Sequence, residues 1–238
     1  MTTRIQTDIR RLGLFSILLL IAAATLPTVP VQAESWELAA GEPGCRRVAL
    51  IFNVGMDYEP HPDVTGGLAA SGIPATIFPM GWWAETYPGL LQTMANQGFV
   101  IGNHGDQAIP LTTRADAEIA QDVRDADQAI GSALGYPPAP YFTPYAADRD
   151  DRVRAVVAAE GYTPVGWGVS SGDWTVDASP MSVYTSVMDG VYDGAIVEFH
   201  LDGPNTVGPT AIALPWIVAD LTAAGYSFVT VPDLLAAC

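Results

Sequence analysis

Strand-like and helix-like stretches alternate about seven times between Val48 and Val231. That rhythm constrains the fold more than any other feature, because alternating short apolar runs and longer amphipathic runs make a parallel sheet with helices outside it. The expected strands are Val48–Asn53, Pro74–Pro79, Phe99–Gly102, Pro140–Phe142, Thr163–Gly168, Ala195–Phe199 and Ser227–Val231. The expected helices are Pro60–Ser71, Thr86–Gln97, Thr113–Leu134 with Thr113 as its cap, Asp148–Glu160, Pro180–Asp189 and Pro209–Ala224, then a terminal turn over Pro232–Ala237. Glycines follow most of these helices, as helix ends require. No linker, repeat or low-complexity run divides the pattern. No Gly-rich dinucleotide fingerprint follows the first strand, which disfavours an open nucleotide-binding sheet.

The first strand, Val48-Ala-Leu-Ile-Phe-Asn-Val-Gly55, is apolar on both faces and ends at a glycine. Residues at the carboxyl end of such a strand face the ligand site in a β/α fold. Asn53 and Val54 stand there, and neither is a good base or metal ligand.

Before the domain lies an export signal. Arg4, Arg10 and Arg11 form its basic part, Leu12 to Leu26 carries no charge, and Val31-Gln32-Ala33 is a small-x-small cleavage pattern. The apolar run is short for a membrane span, so residues 1–33 are read as a signal peptide and residues 34–238 as the mature domain, with no stable span after cleavage. The whole chain has 10 basic and 26 acidic residues, net −16; the leader holds three Arg and one Asp, which leaves 7 and 25, or −18. Lysine is absent. A surface so acidic repels nucleic acid and anionic membranes. The two cysteines, Cys45 and Cys238, bracket the domain. In an exported chain an even pair reads as a disulfide, and closure of the sheet would bring the first and last strands together.

Several stretches, in order, resemble the NodB-type polysaccharide deacetylases, carbohydrate esterases that remove N-acetyl groups from chitin-like or peptidoglycan glycans. They are Gly72-Ile-Pro-Ala-Thr-Ile-Phe78, Ile101-Gly-Asn-His104, Pro144-Tyr145, Asp173-Trp174, Phe199-His200 and the ending Leu221–Val231. The resemblance spans about Arg47 to Val231 and implies an α/β fold, a distorted (β/α)₇ barrel. It also implies an N-acetylated glycan as ligand, such as peptidoglycan or chitooligosaccharide. The family's chemistry uses a divalent metal, usually zinc, held by one Asp and two His; a second Asp serves as base and a later His protonates the leaving amine.

Carried over by position, these roles survive only in part. Asn53 stands at the base, Val54 at the metal-binding Asp, His104 at the first metal-binding His and Ala108 at the second. Phe142 replaces the arginine that orients the base, and Ser170 stands where the fourth motif begins with Asp, although Asp173-Trp174 is kept. His200 is kept as the acid, and Glu198 replaces the leucine of the acetyl pocket. The resemblance therefore assigns Asn53, Asp173 and His200 to the catalytic positions and His104 to a remnant metal ligand. Tyr145, Trp174 and Glu198 fall at substrate-binding positions. One His cannot hold zinc in the usual three-ligand catalytic geometry. No cofactor is expected unless carboxylates from outside the motifs, with Asp57, Asp106, Asp173 and Glu198 as the supply, rebuild a metal site.

Three further readings stand beside this one. Gly168-Val-Ser-Ser-Gly172 matches the nucleophile-elbow pattern and would make a serine hydrolase of Ser170 and His200. Trp82, Trp83, Tyr87, Tyr145, Trp167 and Trp174 offer aromatic faces for sugar rings and suggest glycan binding without hydrolysis. Glu198 and His200 lie two apart and share a strand face, with Asp57, Glu59 and His61 in the first loop; a buried, unpaired Glu198 would have a raised pKa. His200 has Asp202 as a nearby candidate partner.

Overall fold

The computed structural model describes residues 36–56, 62–203 and 207–237. The signal region, Asp57, Glu59, His61 and Cys238 lie outside them. The strands are β1 Arg47–Val54, β2 Thr76–Pro79, β3 Val100–Ile101, β4 Tyr141–Phe142, β5 Thr163–Pro164, β6 Val169–Ser170, β7 Ala195–His200 and β8 Ser227–Val229. The helices are α1 Pro62–Ala70, α2 Gly81–Thr86, α3 Pro88–Asn96, α4 Asp116–Leu134, α5 Asp151–Ala159, α6 Pro180–Gly190, α7 Val207–Ala223 and α8 Val231–Leu234.

Every pairing between these strands is parallel. The order runs β3-β2-β1-β7-β6, with β8 against the start of β1. An Asn103–Phe142 bridge carries the sheet from β3 to β4, which pairs with β5. This is the parallel sheet that the alternation implied, in the distorted barrel that the family resemblance implied, with its mouth at the carboxyl ends of the strands.

β1 sits at the centre and is buried on both faces because its side chains fill two different cores. Val48, Leu50, Phe52 and Val54 pack toward the surrounding helices. Ala49 and Ile51 pack inward with Phe78, Val165, Ile196 and Val231. Strand side chains alternate, so Asn53 continues the inward row of Ala49 and Ile51 and emerges at the mouth. β7 repeats the logic: Ile196 belongs to the inner core, Val197 and Phe199 to the outer one, which puts Glu198 and His200 on the inner row. Phe52 and Phe199 stack on the outer face at 5.3 Å between ring centroids.

Several boundaries differ from the sequence reading. The helix expected over Thr86–Gln97 is α3, which starts at Pro88, and a short helix that the sequence reading did not give, α2, precedes it and ends at Thr86. α4 begins at Asp116, and Thr113 lies in a preceding 3₁₀ turn with its hydroxyl donating to the Pro110 carbonyl. Ala115 takes the cap position, and Glu118 reaches back to the Ala115 N–H at 2.8 Å. The strand expected over Thr163–Gly168 is only Thr163–Pro164, and β6 follows as a separate strand. Short strands next to Pro and Gly carry too little periodicity to show such a break.

The chain's end returns to its start. The Arg47 guanidinium donates to the carbonyls of Ala236 at 2.6 Å and Ala237 at 3.2 Å, beside β8 on β1. That brings the residue before Cys238 to the strand that follows Cys45.

Candidate functional site

The parallel register assembles the site. In the β1–β7 pairing Ile51 is opposite Glu198 and Asn53 opposite His200; in the β6–β7 pairing Ser170 is opposite Glu198. Three neighbouring strand ends thus deliver Asn53, Ser170, Glu198 and His200 to one place. Loops after β3 and β4 add His104 and Tyr145, and the segment after β6 adds Trp174. All of these line one cavity of about 530 Å³ at the mouth.

A hydrogen-bonded chain crosses the cavity floor. His104 Nδ1 lies 2.9 Å from the Thr143 carbonyl oxygen and 2.8 Å from its Oγ1. A carbonyl oxygen only accepts, so the ring proton sits on Nδ1. The Thr143 hydroxyl in turn donates to Asn53 Oδ1 at 2.9 Å, and the Asn53 amide hydrogen-bonds to Glu198. Glu198 Oε2 accepts from Ser170 Oγ at 2.8 Å, and Oε1 lies 3.2 Å from His200 Nε2. His200 Nδ1 is 2.8 Å from Asp173 Oδ1. The other Asp173 oxygen accepts from the His200 backbone N–H at 2.9 Å and from the Thr210 hydroxyl at 2.8 Å.

The two histidines differ in charge. Burial opposes protonation of both. For His200 it is outweighed by the hydrogen bond and charge of Asp173 and by Glu198, which push its pKa up to about 9. His200 is therefore an imidazolium at neutral pH, hydrogen-bonded to Asp173 through Nδ1 and ion-paired with Glu198 through Nε2. At His104 burial wins over the Thr143 carbonyl, the positive His200 adds to it, and the pKa falls to about 3. His104 stays neutral. Burial also raises the Glu198 carboxyl, against His200, Ser170 and Asn53, which favour its charged form.

Several sequence expectations are corrected here. Glu198 is buried but not unpaired. The partner of His200 is Asp173, not Asp202; Asp202 accepts the backbone N–H groups of Gly55 and Met56. Asp106 is not at the mouth: it borders a separate surface pocket with Glu85 and Asp125. Trp82, Trp83 and Tyr87 are packing residues of the α2 region, with Trp83 fully buried, and of the six aromatics only Tyr145, Trp167 and Trp174 line the cavity. The Ser170–His200 dyad does not form, because the Ser170 hydroxyl is turned to Glu198 and His200 Nε2 is occupied by the same carboxylate. No helix follows Ser170 directly; α6 starts at Pro180. Thr143 is the residue that sequence reading missed. It is wholly buried and joins His104 to Asn53, and its place directly before Pro144-Tyr145 was the available signal.

Among the described residues the donor set does not fit a catalytic divalent metal. Val54, wholly buried in the outer core, and Ala108 both border the same cavity as His104, and neither carries a donor atom. Asp173 and Glu198 are committed to His200. Among the described residues no three His, Cys, Asp or Glu come together where one ion could be held.

Comparison with known proteins agrees with this architecture. The family model for polysaccharide deacetylase matches residues 40–165, more than half of the chain. A peptidoglycan-N-acetylglucosamine deacetylase from Bacillus cereus is 28% identical over 208 residues, covering 87% of this chain and 94% of that protein. The peptidoglycan-N-acetylglucosamine deacetylase PgdA from Listeria monocytogenes is 30% identical over 190 residues; the match covers 79% of this chain but only 39% of that longer protein. A crystal structure of a peptidoglycan N-acetylglucosamine deacetylase bound to a hydroxamate-type benzamide superposes with a TM-score of 0.78 at 25% identity, over 84% of this chain and 92% of that one. A CE4 family pseudoenzyme from Bacillus anthracis has the same fold, with a TM-score of 0.78 at 22% identity over 86% and 70% of the two chains. With the family match running from before β1 through β5, across the strand ends that carry Asn53, His104 and Thr143, this chain belongs to the polysaccharide deacetylase family.

Proposed function

We propose that this protein is an exported, envelope-located member of the family that binds an amino-sugar glycan of the peptidoglycan or chitooligosaccharide kind without the family's metal-dependent deacetylation. The observation that carries the reading is the pair Val54 and Ala108 on the cavity wall beside His104: two of the three ligand positions offer no lone pair. Asn53, at the base position, is a neutral amide and cannot take a proton from water at neutral pH. General-base help alone is worth roughly 10²–10⁴ in rate, so losing it with the metal removes most of the chemistry. The kept Asp173–His200 pair and the aromatic rim preserve a surface that fits a sugar. Trp174 is 54% exposed, and Tyr145 stands edge-on to His104 at 6.5 Å.

Metal analysis and acetate release test it. The purified mature protein is expected to carry well under one zinc per chain and to release no acetate from N-acetylglucosamine oligomers above a metal-free blank. Stoichiometric zinc, with acetate release that vanishes in His104→Ala, would overturn the reading. Binding is tested by the Tyr145→Ala, Trp174→Ala double variant, which should lose about 1–3 kcal/mol toward a glycan ligand.

A further inference from the structure

The polar groups of the mouth cavity are sorted by kind. The donors on its floor are already engaged: Asn53 and Ser170 turn hydrogens onto Glu198, and His200 donates through Nδ1 to Asp173 and sets Nε2 3.2 Å from Glu198. On that floor what is left over are acceptors; the other donors, the Tyr145 hydroxyl and the Trp167 and Trp174 indole N–H groups, belong to the aromatic walls. His104 is 6% exposed and lines the cavity. Its proton is on Nδ1, toward the Thr143 carbonyl, so Nε2 carries a lone pair, and no described residue hydrogen-bonds to it. Glu198 presents a carboxylate in the same cavity, only 3% exposed. Asp173 and Glu198 flank a single imidazolium, so two carboxyl groups meet one cationic ring. Among the described residues no Lys or Arg lines the cavity; Arg149 lies over the Trp167 ring, 5.6 Å from its centroid, and is paired with Glu37.

A buried lone pair with nothing to accept from, beside a carboxylate and aromatic walls, asks for a cation that carries its own hydrogens. A primary ammonium has three N–H donors and one positive charge. It can give one hydrogen to Glu198 and one to His104 Nε2, and set its charge against Tyr145 or the indole faces. An N-acetyl group suits the place less well. It has one N–H, its carbonyl needs a donor where Asn53, Ser170 and His200 already face carboxylates, and its methyl would lie against a carboxylate.

We infer that the cavity reads the free 2-ammonium of a de-N-acetylated glucosaminyl residue, so that the protein binds partially deacetylated glycan, the product of the reaction its relatives are named for, rather than the fully N-acetylated polymer. The inference rests on the glycan-binding reading above and names the sugar that the cavity selects. It also places the protein after a deacetylation step: hydrolysis of the acetamide, releasing acetate and leaving an amine, must supply the ligand.

The test compares two probes on the intact mature protein, the β-1,4-linked glucosamine tetramer and its fully N-acetylated counterpart, by calorimetry at a pH where the amine is charged. The glucosamine tetramer is expected to bind about tenfold more tightly or better, since a charge-assisted hydrogen bond in a buried site is worth about that much. Glu198→Gln keeps the shape and removes the charge, and should abolish the preference; thermal melting checks that the variant is folded, and the wild-type comparison stands without it. Equal or tighter binding of the N-acetylated tetramer would overturn the inference and leave the glycan-binding reading intact. A preference for the amine that survives Glu198→Gln in a folded variant would overturn the role of Glu198. Binding of neither tetramer would overturn both this inference and the reading beneath it.

Discussion

Asp173 holds His200 by both carboxylate oxygens: Oδ1 lies 2.8 Å from the ring Nδ1 and Oδ2 accepts the His200 backbone N–H at 2.9 Å. The ring is therefore fixed in direction as well as charge. With its pKa raised from 6.5 to about 9 in the folded protein, His200 contributes stability that is complete below pH 6.5 and is lost as the pH rises through about 9. Asp173→Asn should lower the imidazolium pKa, as seen in an NMR titration of the ring. It should also cost about 3–5 kcal/mol in urea unfolding near neutral pH, because it leaves a buried charge without its main partner.

Thr143→Val should cost about 1–3 kcal/mol. The hydroxyl joins Asn53 Oδ1 to the His104 ring, and valine keeps the shape while removing the amide oxygen's hydrogen-bond donor. Denaturant unfolding measures the loss, and an unchanged midpoint would show that water replaces the hydroxyl.

Ala146→Gly should stabilise the protein. Ala146 and Ala147 have φ of 52° and 56°, in the left-handed region, on the cavity wall. An L-residue there costs roughly 1–2 kcal/mol, and glycine gives back about half of that through its freer unfolded chain. A net gain of up to about 1 kcal/mol is expected from thermal melting. A loss would mean that the alanine methyl packs in a way that outweighs its strain.

The triple variant Asn53→Asp, Val54→Asp, Ala108→His should gain metal. All three positions border the same cavity as His104, so the new donors would join an imidazole already turned by Thr143. About one zinc per chain is expected on metal analysis, the complement of a three-ligand catalytic site, with acetate release from N-acetylglucosamine oligomers appearing with it. A folded triple variant that binds no zinc would show that the cavity walls no longer have the geometry for metal.

Cys45 and Cys238 are expected to form a disulfide. Cys238 lies outside the described residues, but Arg47 holds the carbonyls of Ala236 and Ala237 close to the start of β1. Removing a native disulfide from an exported domain costs about 2–5 kcal/mol. Two free thiols in the oxidised, denatured mature protein would refute the pairing.

The sequence by itself determined the architecture. The buried run from Val48 to Val54, the turn glycines and the strand–helix rhythm are local properties, and each follows from burial, propensity or backbone freedom read one segment at a time. It also showed the missing ligands, since Val54 and Ala108 lack donor atoms wherever they sit. Short elements were less legible: two-residue strands such as Val169–Ser170 hold too few side chains to show a period.

Only the tertiary structure decided which polar groups meet. Ser170 sits 28 residues before Glu198, and Asn53 is 90 residues before Thr143; nothing in local sequence pairs them. Strand register does, because parallel neighbours place Asn53 beside His200 and Ser170 beside Glu198. The same register turned a Gly-x-Ser-x-Gly pattern from a nucleophile into a carboxylate's hydrogen-bond donor. It also made one histidine an imidazolium and left the other neutral with an open lone pair. Charge state depends on burial and on partners brought together by folding, and those are properties of the assembled barrel rather than of any stretch of chain.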